Sequence, residues 1–428
     1  MREIMRETSP LFFRNKKMIL TTNQSFVCCL LIPAIFSLLI PVPGTAASQD
    51  ILLFREGSMM DWADAHVDNN LIATFVSSSS PPAIKIFHSN GSFYKAIPLS
   101  RETIRLDSME ISGGQVYYTE YDNAESSYLR NETVFEFDLS QGEKKVIYTT
   151  DGPQQRITKI AADGDNIVLR GGSNDQILIL YNRSSKTSGI IFTSFSMIHG
   201  LAIDGDRILW GCERTDKEPG REIHVYTIST AKDSIIPESK SIRTWGYGDI
   251  SGGRVVWSMA AGEPDTSLGY PSLVNAGGDI RLTDLSTGKT QSIEILNTPE
   301  TPFISGDSIV YLKKPEIDYN NTDTGTVRVY DISTGSFSDI ASEVAGISDF
   351  DNGLVLWHKL KPMTFWVTPV SGKSPTTGSS VTTAETRIQE PAMQNTPPPK
   401  SPVGMIVIVL AVTVGIVVYT ILKKKASD

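Results

Sequence analysis

Ile250-Ser251-Gly252-Gly253-Arg254-Val255-Val256-Trp257 is the stretch on which the fold turns. An Ile-Ser-Gly triplet, a polar residue or two and a β-branched run closed by an aromatic describe a tight hairpin turn feeding a buried strand. The pattern also stands as Ile111-Ser112-Gly113-Gly114-Gln115-Val116-Tyr117-Tyr118, as Ile203-Asp204-Gly205-Asp206-Arg207-Ile208-Leu209-Trp210, and as Ile304-Ser305-Gly306-Asp307-Ser308-Ile309-Val310-Tyr311. Weaker copies begin at Ala162-Asp163-Gly164 and Phe350-Asp351-Asn352, and the weakest at Val67-Asp68-Asn69. The equivalent positions 69, 113, 164, 205, 252, 306 and 352 recur every roughly 40 to 55 residues, the period of four-stranded propeller blades. The expected fold is all-β, a single β-propeller of about seven four-stranded blades. The count becomes six or eight if the weak first or third copy is merged or split.

Each copy has a second half, an alternating third strand and a turn into a fourth. Examples are Ile280-Arg281-Leu282-Thr283-Asp284-Leu285-Ser286-Thr287-Gly288 and Val327-Arg328-Val329-Tyr330-Asp331-Ile332-Ser333-Thr334-Gly335. The final copy stops after its third strand, Phe365-Trp366-Val367, while Ile51-Leu52-Leu53-Phe54 is left over at the start. That segment is expected to complete the last blade and close the ring, which removes exposed sheet edges.

These paired halves resemble TolB-like β-propeller repeats, especially those of archaeal surface proteins, over about residues 50–373. The family pattern places an acidic residue and an arginine just after the blade tryptophan. Glu213 and Arg214 follow Trp210 in this way; Trp257 and Trp357 are not so followed. The resemblance implies a propeller at the cell surface and says little of activity, because propellers host many.

The two ends read as membrane signals. Arg14, Lys16 and Lys17 precede an apolar run from Phe26 to Ile40, and breakers and small residues follow to Ala47. This is the order of a secretory signal peptide over 1–47, with an uncleaved signal anchor as the alternative. Residues 403–422, Val403 to Leu422, carry no charge and have the length of a spanning helix. Lys423, Lys424 and Lys425 open a basic tail over 423–428, so the C-terminus is expected in the cytoplasm and the propeller, 48–373, outside. Residues 374–402 are rich in Ser, Thr and Pro and read as an extended stalk.

A net charge of −9 argues against a nucleic-acid partner. Of three cysteines, Cys28 and Cys29 lie in the signal run, so Cys212 stands alone and reads as a small buried side chain. The five histidines are scattered, with no HExxH spacing, nucleophile elbow or phosphate loop. Asp-Gly-Asp at 163–165 and 204–206 reads as turn chemistry rather than a cation site. No metal site and no cofactor is expected; Asp318, Asn320 and Asp323 alternate as weak calcium candidates without a closing Glu. Asn90, Asn131, Asn182 and Asn320 open glycosylation sequons in turns.

Long insertions at about 119–133, 211–222, 258–278 and 312–326 fall between second and third strands, at one end of the disc. With the fourth-to-first connection they gather Tyr121, Tyr128, Trp245, Tyr247, Tyr270 and Tyr319 among acidic residues. Aromatics amid polar groups are what carbohydrate and protein recognition uses. The expected function is a membrane-anchored, non-catalytic interaction module for a surface glycan or envelope protein. A metal-dependent lyase or hydrolase working in the channel and a structural envelope component are the alternatives.

Overall fold

A computed structural model describes residues 50–370, apart from 56–62, 77–81, 101–103, 107, 123–131, 151–155, 215–219, 242–247, 261–277, 297–300, 316–323 and 361–362. The signal, stalk, membrane helix and tail read from the sequence lie outside the described residues.

The described residues form seven antiparallel sheets in sequence order. Blades 1 to 6 span 63–98, 109–149, 157–193, 199–235, 248–296 and 303–344. Blade 7 takes its three inner strands from 346–369 and its outermost strand, Ile51–Arg55, from the start of the chain. Ile51 lies opposite Val367 and Leu52 opposite Trp366, so the leftover segment closes the ring as expected. Blade 2 carries a further short strand, Ile104–Arg105, paired to its second strand.

Both faces of the inner strands are buried, which is why they read as unbroken apolar runs. Val255 and Trp257 pack toward blade 4, while Val256 between them packs toward blade 6. The core is thus seven clusters, each held between two adjacent blades. Trp210, Trp257 and Trp357 are its largest fully buried side chains. Trp257 Nε1 donates to Thr283 Oγ1 at 2.9 Å and Trp357 Nε1 to Thr368 Oγ1 at 2.8 Å, which satisfies their polar atoms in a dry interior.

The repeat motif has one backbone meaning. Asn69, Gly113, Gly164, Gly205, Gly252, Gly306 and Asn352 all sit at φ between 47° and 58°. Gly and Asn are the residues that visit this left-handed region most readily. The third-to-fourth turns use a side-chain device instead. Asp284 Oδ1 accepts from the Ser286 and Thr287 amides, and Asp331 Oδ1 from the Thr334 amide, each an Asx turn.

Because consecutive strands are antiparallel, these two kinds of turn share one end of the disc. The second-to-third connections emerge at the other. The flanking strands run further than the sequence indicates: they reach Asp122, Glu213, Ala260 and Lys313 and resume at Thr133, Arg221, Gly278 and Gly325.

Candidate functional site

The innermost strands Ala63–Asp68, Met109–Ser112, Ile157–Asp163, His199–Asp204, Gly248–Ser251, Phe303–Ser305 and Gly346–Asp351 stand side by side around an axis. They enclose a cavity of about 390 Å³. The seven strands end in Asp68, Ser112, Asp163, Asp204, Ser251, Ser305 and Asp351. Two residues earlier in each, His66, Glu110, Ala161, Ala202, Asp249, Phe303 and Asp349 line the cavity.

Six of the seven residues that end the inner strands reach across to the next blade. Asp68 Oδ2 accepts from the Gly113 amide at 2.7 Å, Asp163 Oδ2 from Gly205 at 2.6 Å, and Asp204 Oδ2 from Gly252 at 2.8 Å. Ser251 Oγ takes the Gly306 amide at 3.2 Å, Ser305 Oγ the Asn352 amide at 3.0 Å, and Asp351 Oδ2 the Asn69 amide at 2.9 Å. The donor is in every case the left-handed turn residue. Asp163 and Asp204 therefore clasp neighbouring blades, a role apart from the turn chemistry read for them, while Gly164 and Gly205 make the turns.

A second tier lies deeper. Asp349 Oδ2 accepts from the Val67 amide and Asp249 Oδ2 from the Ile304 amide, each at 2.9 Å. His66, 5% exposed, sits among carboxylates: Nε2 is 3.1 Å from Asp64 Oδ1, and Nδ1 is 3.4 Å from Asp349 and 3.6 Å from Glu110. Lys159 Nζ stands 3.4 Å from His66 Nε2. Burial would lower the His66 pKa, but Glu110 and Asp64 outweigh it and hold the imidazolium up to about 10. Burial would likewise raise Asp64, but His66 and Lys159 bring it down to about 2. Burial, with Asp349 and Asp204 nearby, pushes Asp249 up to about 7. Burial also raises Glu110.

Two sets of ligating atoms converge within 4.8 Å among the described residues: His66, Glu110 and Asp349 on the axis, and Cys212, Glu222 and His224 inside blade 4. Neither is visible as a sequence motif, because each joins residues from different strands. The nearest signal is the Glu-x-His alternation at 222–224, opposite Cys212 in a hairpin. Cys212 is fully buried, as expected, and burial pushes its thiol up to about 12.

Of the residues expected to meet a partner, Tyr121 is described: it is half-buried in the second strand of blade 2, opposite Arg105. Tyr128, Trp245, Tyr247, Tyr270 and Tyr319 lie outside the described residues, as do Asn131, Asp318, Asn320 and Asp323. Asn90 is exposed in a turn, where its Oδ1 accepts from the Ser92 amide at 2.9 Å. Asn182 is half-buried, and its Nδ2 donates to Asn166 at 3.2 Å. Among the described residues no helix is long and apolar enough to cross a membrane.

No family model matches the chain, and no curated protein does. Solved structures do. TolB from Acinetobacter baumannii is 12% identical, with 74% of this chain and 66% of that one covered and a TM-score of 0.40. The tricorn protease is 13% identical over 74% of this chain and 34% of its own, with a TM-score of 0.53; this chain therefore spans about a third of it. An oligogalacturonate lyase from Vibrio parahaemolyticus is 11% identical over 76% and 99%, with a TM-score of 0.50. At such identities the last two likenesses show the fold alone.

Proposed function

We propose that this chain is a non-catalytic interaction module, a propeller tethered to the cell membrane by its C-terminal helix and facing outward. Its loop-bearing end would meet a surface glycan or an envelope protein. One observation carries the reading: the ionisable groups on the axis are engaged in holding the ring together. Asp68, Asp163, Asp204, Asp249, Asp349 and Asp351 each accept a backbone amide from the neighbouring blade. His66 is surrounded by Asp64, Glu110 and Asp349. Each of these carboxylates thus has a structural part in closing the ring that calls for no substrate. Sequence variety falls instead in the connections at the opposite end of the disc from the turns.

The test is a binding screen of the full chain in detergent micelles against glycans and envelope components, with and without EDTA. Saturable binding that survives EDTA and is lost on Trp245→Ala supports the module. Absence of binding, with metal-dependent turnover of a polymer, replaces it by the second reading. That reading, an ectoenzyme using the channel, is favoured by the convergence of His66, Glu110 and Asp349 beside the 390 Å³ cavity. Self-assembly that depends on concentration, without a ligand, would mark the chain as a structural envelope component.

A further inference from the structure

Blade 4 departs from its neighbours at one corner, and the departure has the chemistry of a metal site. In blade 5, Trp257 lies opposite Arg281, and two residues along Met259 lies opposite Asp279. Arg281 Nε bonds both Asp279 oxygens at 3.0 Å, and its guanidinium lies 5.4 Å over the Trp257 ring. That is a closed arrangement, with the cation paired and stacked. In blade 4, Trp210 lies opposite His224, and Cys212 opposite Glu222. Arg has become His, Asp has become Glu and Met has become Cys, each at the same place in the blade. A fourth change accompanies them. Thr290 of blade 5, opposite Thr283, corresponds to Asp233 of blade 4, opposite Tyr226.

The four residues form a graded set. Cys212, Glu222 and His224 are 0%, 1% and 1% exposed, and each offers a ligand atom within 4.8 Å of the others. His224 Nε2 faces Glu222 Oε1 at 3.2 Å. Its other nitrogen, Nδ1, lies 2.8 Å from Asp233 Oδ2. A carboxylate on the far nitrogen fixes the tautomer that leaves Nε2 free to ligate, the arrangement that orients histidines at metal centres. Trp210 stacks on the imidazole with centroids 5.1 Å apart and planes 9° from parallel. Phe192 of blade 3 packs against both rings, at 4.9 and 5.2 Å, and holds the corner dry. Blade 5 shows that the fold itself does not require this set.

We propose that Cys212 Sγ, His224 Nε2 and the Glu222 carboxylate bind one divalent transition-metal ion of the zinc class between blades 3 and 4, with Asp233 orienting His224. A thiolate–imidazole–carboxylate set selects zinc and its transition-metal neighbours over calcium or magnesium, which take all-oxygen shells. On binding, the Cys212 thiol gives its proton to solvent and thiolate and carboxylate balance the two positive charges. The site is separate from the channel, and it stands whether or not the propeller binds a surface partner.

The test uses the full chain with Cys28→Ser and Cys29→Ser, which leaves Cys212 as its one thiol. It is produced in medium supplied with cobalt(II), so that no buried ion has to be exchanged. The expected result is one cobalt per chain with a near-ultraviolet thiolate-to-cobalt charge-transfer band. Cys212→Met and His224→Arg import the residues that blade 5 already accommodates, so both are expected to keep the β circular dichroism of the parent. Cys212→Met is expected to lose the band, and His224→Arg to lose the bound metal at least tenfold. A parent chain without metal or charge-transfer band overturns the proposal, as does a band that persists in Cys212→Met. Should either variant fail to fold, the parent chain's metal content and spectrum decide alone.

Discussion

A propeller of this kind is specified by seven residues in the left-handed region. Each of the positions 69, 113, 164, 205, 252, 306 and 352 turns the first strand back into the second. Six of their amides also donate to the preceding blade, so the turn and the blade-to-blade clasp are one device. Gly205 isolates the conformational part, since a Cβ built there meets nothing within 4 Å. Gly205→Val is therefore expected to cost about 1–2 kcal/mol through φ alone, read as a lower urea midpoint with an unchanged slope. An unchanged midpoint would show that the turn can relax. The glycine was legible in the sequence because no other residue serves the turn so well. The use of the preceding Asp or Ser was not, because its partner lies 42 to 55 residues away, or on Asn69 for Asp351.

At the scale of elements, each blade buries both faces and lends half of each cluster to a neighbour. No blade has a core of its own, and the cost of an open ring falls on blades 7 and 1. Leu53, 7% exposed, joins Leu356, Phe365 and Val367 of blade 7 to Ala65 and Val67 of blade 1. Deleting residues 48–55 strips this strand from Met363–Pro369 and leaves an unpaired edge. The expected loss is at least ~3 kcal/mol, the scale of removing one buried leucine, with oligomers appearing by light scattering as edges pair between chains. A peptide of residues 48–55 added in trans should reverse both effects. A deletion variant that stays monomeric with an unchanged melting temperature would show that closure does not depend on this strand. The leftover segment could be assigned from sequence because the repeat lacks one strand at its end and has one to spare at its start.

For the whole molecule, the ring gathers carboxylates that burial makes reluctant to ionise. Asp249 rises to about 7 and Asp68 to about 6, so the folded state holds protons that the unfolded chain has released, and stability falls as pH climbs through these values. His66, raised to about 10, is a base held charged; its contribution is complete below its ordinary value of 6.5 and is lost as pH rises toward 10. His199, lowered to about 3 by burial and by Arg221 and Arg170, acts oppositely, but its effect is spent by pH 6.5. Between pH 6.5 and 9 the melting temperature is therefore expected to decline. Asp249→Asn should gain on the parent as pH rises from about 4 to 7 and run parallel to it above, where the decline belongs to His66. A flat profile in thermal circular dichroism would contradict the charge assignment. What the sequence by itself determined is the repeat: period, closure and burial of Cys212 follow from local turn chemistry and from strands apolar on both faces, while the strand pairing decided for seven blades over six or eight. What only the tertiary structure decided is which side chains meet. Asp64, His66, Glu110, Lys159 and Asp349 come from four blades, and Cys212, Glu222, His224 and Asp233 from three strands of one. A propeller brings together residues one blade apart on its axis and residues across a hairpin within a blade, and neither separation leaves a fixed spacing along the chain.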